Sequence, residues 1–315
     1  MRKRSSKVLH LAGYQGGTSI LTAALTALAR RLDGGTVGTP HLQPDVTSSG
    51  ESAASLFRSI EAGERHIGYM ASGYLSAKVP ELAVLDLPFS VHDRQAALQA
   101  LDGRAGALLR EAVAHQSGFH VLAFWDNGFR HISNAVRPIL TPGDCRGLVI
   151  RTLDSDLYRQ ALESLGFRAI TTDVKDLARA VQTGEVDAQE NPLTNLLTFE
   201  LWRHHSHVSL TGHFFGVLLL VCPRAWYGQL APAQRRELHE AVADATGLQR
   251  QSAARQDAAA MARLHAHGVH IADQKSLDMA GLQRAAAPVR QRFVAQLPFD
   301  IVSAYLPALA GEPIS

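Results

Sequence analysis

Apolar residues along this chain follow two alternating patterns: short continuous runs, and longer stretches with helical spacing. Short runs are typical of buried strands, and the longer stretches are typical of amphipathic helices. Their alternation predicts an α/β fold with helices layered on a sheet. We expect strands at residues 8–13, 67–70, 120–125, 148–151, 185–188 and 215–221, the last of them central in the sheet.

The helical stretches carry recognisable end signals. Thr18 is placed to cap the first stretch. Gly63, Gly166 and Gly184 follow later stretches, where glycine ends a helix by taking the left-handed conformation without strain. We expect helices at residues 20–32, 52–62, 95–116, 155–165 and 173–183.

The longest periodic stretch covers residues 232–268 and ends at Gly268. At about 1.5 Å per residue, one helix of this length would be roughly 50 Å long. That exceeds the width of a domain made from half of the chain. We therefore expect one continuous helix, from Pro232 to about Ala266, that spans two lobes.

Composition agrees with a soluble globular protein that has a sizeable core. The chain has 315 residues, of which 46% are hydrophobic and 19% charged, and this length favours two domains. The formal net charge is +2, from 31 basic and 29 acidic residues. This balance argues against nucleic acid as a partner, because a phosphate-binding surface usually carries a strong basic excess.

The cysteines and the start of the chain bear on its compartment. Cys145 and Cys222 are too few for a disulfide framework, and Cys222 is expected to be a buried small hydrophobe. A disulfide between the two is the alternative. Residues 1–7, MRKRSSK, resemble the basic part of an export signal, but no apolar segment follows. A trimmed export product, a misassigned start and a protein that stays inside the cell all remain open.

Residues 125–152, WDNGFRHISNAVRPILTPGDCRGLVIRT, are the first block with candidate chemistry. They place Arg130 after a Gly-containing turn and Arg151 at the end of a strand that leads into a helix. A strand end at a helix N-terminus favours an anion, and a guanidinium can bind a carboxylate through two parallel hydrogen bonds. In the alternative interpretation, Arg151 pairs with Asp154 or Asp156 at the helix start.

Residues 182–193, QTGEVDAQENPL, are the second block. Gln189 and Asn191 lie at the end of a short predicted strand and precede a proline, which disfavours helix at Asn191. The amide of Asn191 could hydrogen-bond a ligand or simply cap the turn.

Together the two blocks resemble the substrate-binding proteins of TRAP transporters, the tripartite ATP-independent periplasmic uptake systems. The resemblance covers nearly the whole chain and rests on the combination of GFRHISN, RPI-TP-D--G--IR and TGEVDAQENP, with AGYQGG and VLDLPF before them. It implies two α/β lobes joined by hinge strands, with a ligand in the cleft and closure on binding. It also implies that Arg151 binds the ligand carboxylate, while Arg130 and Asn191 add contacts.

Further residues are candidates for the walls of the cleft. The segment AGYQGGTS lacks the spacing of a P-loop or a dinucleotide fingerprint, so we expect a loop that closes over the ligand, with Tyr14 as a wall residue. His213 and Phe214 are placed where the chain would cross between lobes. The remaining aromatic candidates fit a core as well as a pocket; they are Tyr69, Trp125 and Phe215.

Two other chemistries are disfavoured. Residues 202–207, WRHHSH, look like a metal site, but adjacent histidines rarely bind one ion and no Cys or acidic partner is suitably spaced. The 15 histidines suggest general-base chemistry, but the sequence has no GxSxG motif to supply a nucleophilic serine. We expect no metal, no cofactor and no enzymatic activity.

The sequence therefore predicts a two-lobed α/β protein with a first lobe of residues 7–124 plus 213–250 and a second of 125–212 plus 251–315. The resemblance implies a monomeric periplasmic receptor that binds a small organic acid and delivers it to the TRAP membrane permease. Sugar acids, keto or hydroxy acids, dicarboxylates and aromatic acids all remain open as ligands. The alternatives are a non-exported sensor of the same fold and, with less support, a hydrolase that uses the His-rich region.

Overall fold

The structure, a computed structural model, describes residues 7–310, so the basic segment at residues 1–6 and the last five residues of the predicted second lobe lie outside it. The strands are β1 Val8–Ala12, β2 Thr39–Gln43, β3 Ile67–Ala71, β4 Phe119–Asn134, β5 Val149–Thr152, β6 Arg168–Thr171, β7 Ala188–Asn191, β8 His207–Pro223 and β9 His270–Ala272. The helices are α1 Ile20–Leu32, α2 Ala53–Glu61, α3 Arg94–Asp102, α4 Arg104–Gln116, α5 Asp156–Ser164, α6 Val174–Gln182, α7 Leu193–Thr198, α8 Arg224–Gln229, α9 Pro232–Ala266, α10 Met279–Val294 and α11 Phe299–Tyr305.

One sheet runs through both halves of the molecule, in the order β2-β1-β3-β8-β4-β7-β5-β6, with β9 added beside β8. At one end β1 is parallel to β2 and β3, and at the other β5 is parallel to β6 and β7. The antiparallel pair β4 and β8, of 16 and 17 residues, joins the two ends. These are the hinge strands of a two-lobed α/β fold, which confirms the predicted fold class.

The long helix is confirmed as well. Helix α9 is continuous over 35 residues. Its first half packs on the large hydrophobic cluster around β1, β3 and α1, through residues such as Leu238 and Ala245. Its last turns bury Leu264 against Leu193 and Val208, beside the other half of the sheet. The helix therefore braces both lobes.

The segment predicted as a central strand is buried along its length. Residues 217–222 of β8 have almost no exposed surface, and the strand pairs with β3 on one side and β4 on the other. Cys222 is a buried free thiol in this run, and Cys145 is a second one. The alternative disulfide is therefore not formed.

The C-terminal helix α11 packs on the side of the molecule opposite to that expected. Ile301, Val302 and Tyr305 belong to the large cluster around β1 and β3, whereas residues 251–315 were assigned to the second lobe. The lobe limits stay a prediction. This contact does not favour assigning α11 to the second lobe.

One predicted helix is two helices. The expected helix over residues 95–116 is wrong because Gly103 stands between α3 and α4 with φ −101° and ψ −139°, outside the helical region. This break turns the chain so that Leu101 and Leu109 both become fully buried in the large cluster. At α1, the cap is Ser19 rather than Thr18, since the Ser19 hydroxyl accepts the amide of Leu21 at 3.1 Å.

The strands near the candidate chemistry also differ from expectation. Arg130 does not follow a turn but lies inside β4, which continues to Asn134. Gly128, with φ +84°, forms a bulge that keeps β4 paired with β8. The strand predicted at residues 185–188 begins instead at Ala188.

Candidate functional site

Arg151 is a buried cation without an acidic partner in the described part of the chain. It lies on β5, is 2% exposed, and donates from Nε to the carbonyl oxygen of Thr172 at 2.9 Å, with Nη2 bonded to the same oxygen. Within residues 7–310 it forms no salt bridge to a carboxylate. The alternative pairing with Asp156 does not occur, because Asp156 pairs with Arg159 at 2.5 Å.

Arg130, in contrast, forms a buried salt bridge with Glu190. Its Nε donates to Oε2 of Glu190 at 2.5 Å and its Nη2 donates to Oε1 at 2.9 Å. Glu190 also accepts the Thr152 hydroxyl at 2.9 Å. Burial by itself raises the pKa of Glu190, but the charge and hydrogen bonds of Arg130 outweigh it and bring the pKa to about 2. Glu190 was missed as a site residue, although it lies between the predicted Gln189 and Asn191.

Asn191 is the last residue of β7, as expected, and belongs to a buried chain of side-chain hydrogen bonds. Its Oδ1 accepts from Nη2 of Arg130 at 3.2 Å and from Nδ2 of Asn195 at 3.0 Å. Its Nδ2 donates to Gln189 at 2.6 Å, and Gln189 donates to Ser133 at 2.5 Å. The network orients the Asn191 amide and leaves one N–H of Nδ2 without a partner among these residues.

The glycine-rich loop after β1 brings Tyr14 to the site. A Cβ at Gly13 would lie 2.8 Å from the carbonyl oxygen of Pro44 and 2.9 Å from Cε1 of Tyr69, so only glycine fits there. The Tyr69 hydroxyl accepts the Tyr14 amide at 3.3 Å, and the two rings are 4.9 Å apart. The Arg130 charge opposes the effect of burial, which raises the pKa of Tyr14. Tyr14 thus packs on Tyr69 in the core, and its contact with a ligand stays a prediction.

The other predicted aromatic residues, Trp125 and Phe215, are buried in different parts of the molecule. Trp125 lies 6.0 Å from Tyr69, and its indole N–H donates to Thr246 of α9 at 3.0 Å. Phe215 packs on Phe129 at 5.2 Å, on the hinge strands. Both have core environments, and their contact with a ligand stays a prediction.

His213 and Phe214 lie where β8 passes the arginines. The Nδ1 of His213 is 2.7 Å from the Thr211 hydroxyl, and its Nε2 is 3.7 Å from Glu190, beyond hydrogen-bond distance. Burial lowers the pKa of His213, although Glu190 opposes this. The ring of Phe214 lies 4.2 Å from that of Tyr158.

Three further buried polar residues were missed by sequence reasoning. The Tyr158 hydroxyl donates to Oδ1 of Asp86 at 2.8 Å, and the Ser72 hydroxyl donates to the same oxygen at 2.9 Å. Burial raises the pKa of Asp86 to about 7, against the lowering effect of these two hydrogen bonds. Tyr158 also lies under Arg130, with the guanidinium carbon 5.5 Å from the ring centre. Asp86 sits in the VLDLPF motif, which was the one available signal.

The structure shows the two sides of the cleft in contact. The backbone amide of Ala53 donates to Oδ1 of Asp173 at 3.5 Å. Tyr74 lies close enough to Arg151 for the guanidinium to oppose the burial that raises the pKa of Tyr74. These contacts join the β1–β3 end of the sheet to the β5–β7 end, so the conformation is closed.

The His-rich segment does not assemble a metal centre. His205 is buried, with Nδ1 2.9 Å from the Ser133 hydroxyl, and His207 lies against His270 with ring centres 5.6 Å apart. No group of three or more His, Cys, Asp or Glu side chains suited to holding a metal ion occurs in the described part of the chain. Among residues 7–310 there is also no helix long and apolar enough to cross a bilayer.

Two α/β halves on shared hinge strands, closed around buried arginines, define the class of two-lobed solute-binding proteins. The chain belongs to family 7 of the bacterial extracellular solute-binding proteins, the DctP family, whose family model matches residues 12–297. The resemblance to the TRAP receptors is thereby confirmed.

Three relatives illustrate the likeness. The 2,3-diketo-L-gulonate-binding periplasmic protein of Escherichia coli is 28% identical over 261 residues, 82% of this chain and 77% of its own length. A TRAP solute-binding protein from Bordetella, with bound density interpreted as pantoate, is 26% identical with a TM-score of 0.87 over 95% of this chain and 98% of its own. One from Polaromonas, bound to D-erythronate, is 25% identical with a TM-score of 0.88 over 97% and 98%.

Proposed function

We propose that this protein is an extracytoplasmic receptor that binds a small organic acid through Arg151 and presents it to a TRAP-type membrane permease. The observation that carries the proposal is the buried charge of Arg151, which has no carboxylate partner among the described residues. A buried cation without a counter-ion is costly, and a ligand carboxylate can accept two parallel hydrogen bonds from it. Arg130 and Glu190 neutralise one another, so one negative charge on the ligand balances the site.

The surrounding residues have hydrogen-bonding groups that can contact the ligand. Asn191 can donate its remaining amide N–H to the ligand, and Nη1 of Arg130 has no hydrogen-bond partner among residues 7–310. Tyr14 and Tyr74 supply hydroxyl-bearing walls that exclude water. Hydrogen bonds to the carboxylate are stronger in such a site than in water.

The three relatives described above are associated with acids that carry hydroxyl groups. The Escherichia coli protein is named for a keto sugar acid, the Bordetella structure has density interpreted as pantoate, and the Polaromonas structure has bound D-erythronate. The tyrosine hydroxyls and the amide of Asn191 are suited to a hydroxy acid of this kind. We propose that class ahead of dicarboxylates and aromatic acids.

We further propose that the first lobe contains residues 7–124 and 213–250, together with α11, and that the second lobe is centred on residues 125–212. The packing of α11 against α3 and α4 of the first lobe supports this change at the C-terminus. The ligand favours closure only as far as it binds the closed form better than the open one. Closure then presents one surface made from both lobes to the permease.

A thermal-shift screen of organic acids tests the proposal directly. A ligand present at 100 times its dissociation constant adds about 2.7 kcal/mol to the free energy of unfolding. At roughly 2.1 cal/mol/K of unfolding entropy per residue, this raises the melting temperature by about 4 °C. We expect pantoate, D-erythronate or a related hydroxy acid to give such a shift. A panel in which neutral sugars stabilise the protein and acids do not would contradict the carboxylate assignment.

Hinge closure has its own test in solution scattering. The radius of gyration should fall when the stabilising acid is added, because ligand contacts on both lobes hold the cleft shut. Arg151→Ala at the same acid concentration should keep the larger value. An unchanged radius in the saturated parent protein would contradict a closing receptor.

For the hydrolase alternative, Ser133 and His205 are a candidate nucleophile and base. The Ser133 hydroxyl lies 2.9 Å from Nδ1 of His205. Both are buried, and the serine oxygen already accepts a hydrogen bond from Gln189. Burial also lowers the pKa of His205 to about 3, which makes it a poor base at neutral pH. We therefore propose binding without covalent chemistry.

An in-frame upstream segment encoding an apolar export signal would separate the receptor from a non-exported sensor.

A further inference from the structure

The hydrogen bond between Tyr158 and Asp86 crosses the cleft. Tyr158 lies on α5, in the proposed second lobe, while Asp86 ends a short 3-10 helix, Pro80–Asp86, in the first lobe. The distance from the Tyr158 hydroxyl to Oδ1 of Asp86 is 2.8 Å, and each residue is 1% exposed. Ser72, also in the first lobe, holds the same oxygen. The acceptor is thus fixed on one lobe and the donor belongs to the other.

The backbone around Ser72 sits directly on α5. A Cβ at Gly73 would lie 2.8 Å from Cδ1 of Leu153 and 3.2 Å from Cε2 of Tyr158. Only a residue without a side chain allows this approach without displacing its neighbours. The contact is therefore a close-fitting surface between lobes, with the Tyr158–Asp86 bond buried inside it.

The same tyrosine reaches the binding site through its ring. The ring lies 5.5 Å from the guanidinium carbon of Arg130 and 4.2 Å from the ring centre of Phe214. Its hydroxyl donates to Asp86. Removing the hydroxyl alone therefore leaves the ring contacts at the site in place.

We propose that Asp86 and Tyr158 form an interlobe latch: a hydrogen bond that exists only in the closed protein, holds part of the ligand-free population closed and slows ligand release. The proposal rests on the lobe limits and the closing receptor put forward above. On opening, Asp86 leaves with the first lobe and Tyr158 with the second, so the bond must break.

A second feature of Asp86 opposes closure, so the latch does not hold all of the protein in the closed conformation. Its other oxygen, Oδ2, is buried and has no hydrogen-bond partner among the described residues. Closing must strip water from this oxygen, and leaving a buried acceptor unsatisfied opposes closure. The bond from Tyr158 offsets that cost. The Tyr158 bond by itself contributes on the order of tenfold to the ratio of closed to open protein.

The test is a distance measurement on the ligand-free protein. Arg58 on α2 and Lys175 on α6 are exposed on opposite lobes, so Arg58→Cys and Lys175→Cys carry spin labels. The native Cys145 and Cys222 are buried and escape labelling. We expect the parent to show a short-distance population that matches this structure. Tyr158→Phe should lower the ratio of closed to open protein about tenfold.

Tyr305→Phe is the matched control. Its hydroxyl is also buried but has no hydrogen-bond partner among residues 7–310, so its removal should leave the distance distribution unchanged. An unaltered distribution in Tyr158→Phe would overturn the latch. So would a parent protein with no short-distance population, because the latch would then hold nothing closed by itself.

Two further arms separate the latch from a general loss of structure and from the proposed ligand. In an Asp86→Leu background, Tyr158→Phe should have no further effect; an additional tenfold shift there would overturn the pairing. With pantoate or D-erythronate as probe, stopped-flow kinetics should show dissociation about tenfold faster in Tyr158→Phe, with association nearly unchanged. Equal dissociation rates would contradict the latch. If neither acid binds the parent, the hydroxy-acid proposal fails, while the ligand-free distances still decide the latch.

Discussion

Arg151→Ala is expected to lower the affinity for the stabilising acid by about 30-fold to a few thousand-fold. Loss of one partner of a buried, hydrogen-bonded charge pair costs roughly 2–5 kcal/mol, and each ~1.4 kcal/mol is tenfold in affinity. The melting temperature of the ligand-free protein should change little, because the partners that Arg151 has among residues 7–310, the Thr172 carbonyl and Tyr74, are uncharged. Calorimetry and a thermal melt on the same sample measure both quantities.

Two variants sharpen this experiment. Arg151→Lys keeps the charge but loses the planar pair of donors, so it should recover only part of the affinity. Arg159→Ala removes a half-exposed arginine from the same region, one that pairs with Asp156 and Glu163; it should leave the affinity unchanged. An Arg151→Ala protein that binds the acid as tightly as the parent would end the assignment of Arg151 as the carboxylate ligand.

Glu190→Ala is expected to have the largest effect on stability. Arg130 would remain 3% exposed without its counter-ion, and breaking a buried pair in this way costs roughly 3–5 kcal/mol. At about 2.1 cal/mol/K of unfolding entropy per residue, the melting temperature should fall by roughly 5–8 °C. Glu163→Ala, which breaks a solvent-exposed pair with Arg159, is the control and should shift it little. An equal, small shift in both variants would contradict a structural role for the Glu190 charge.

The same pair predicts a pH dependence. The pKa of Glu190 is about 2 in the folded protein and roughly 4.3 in an unfolded chain. Because the folded value is the lower one, the stabilisation is present above about pH 4.3 and is lost as the pH falls toward 2. The stability gap between the parent and Glu190→Gln, measured by urea unfolding, should therefore be largest near pH 7 and narrow over this window. A gap that is constant with pH would contradict the shifted pKa.

Much of the fold was predictable because local patterns carried it. The periodicity of residues 232–268 predicted α9 without reference to any partner, since a helix satisfies its own backbone hydrogen bonds. The run at residues 215–221 predicted a central strand because continuous apolar residues have no solvent-facing side. For the site, the sequence placed Arg151 at a strand end before a helix, and the structure puts it on β5, ahead of α5.

The extension of β4 could not be predicted in the same way. Residues 126–134 are polar and glycine-containing, which is typical of a loop. They are nevertheless a strand because β8 and β7, which come more than 50 residues later in the chain, pair with them. The bulge at Gly128 absorbs the irregularity in register. Backbone pairing between distant segments decides such a strand, and its own residues do not signal it.

The sequence by itself determined that the chain is an α/β protein with a long bracing helix and with Arg151 and Asn191 at strand ends, because strand ends and helix periods are local properties. Only the tertiary structure decided which charges are neutralised. Glu190 meets Arg130 because β7 pairs with β4 two residues away from that arginine. Asp86 meets Tyr158 across 72 positions of the chain. Ion pairs and buried hydrogen bonds depend on distances of a few ångströms between segments remote in sequence, and only the folded arrangement of the sheet and helices sets those distances.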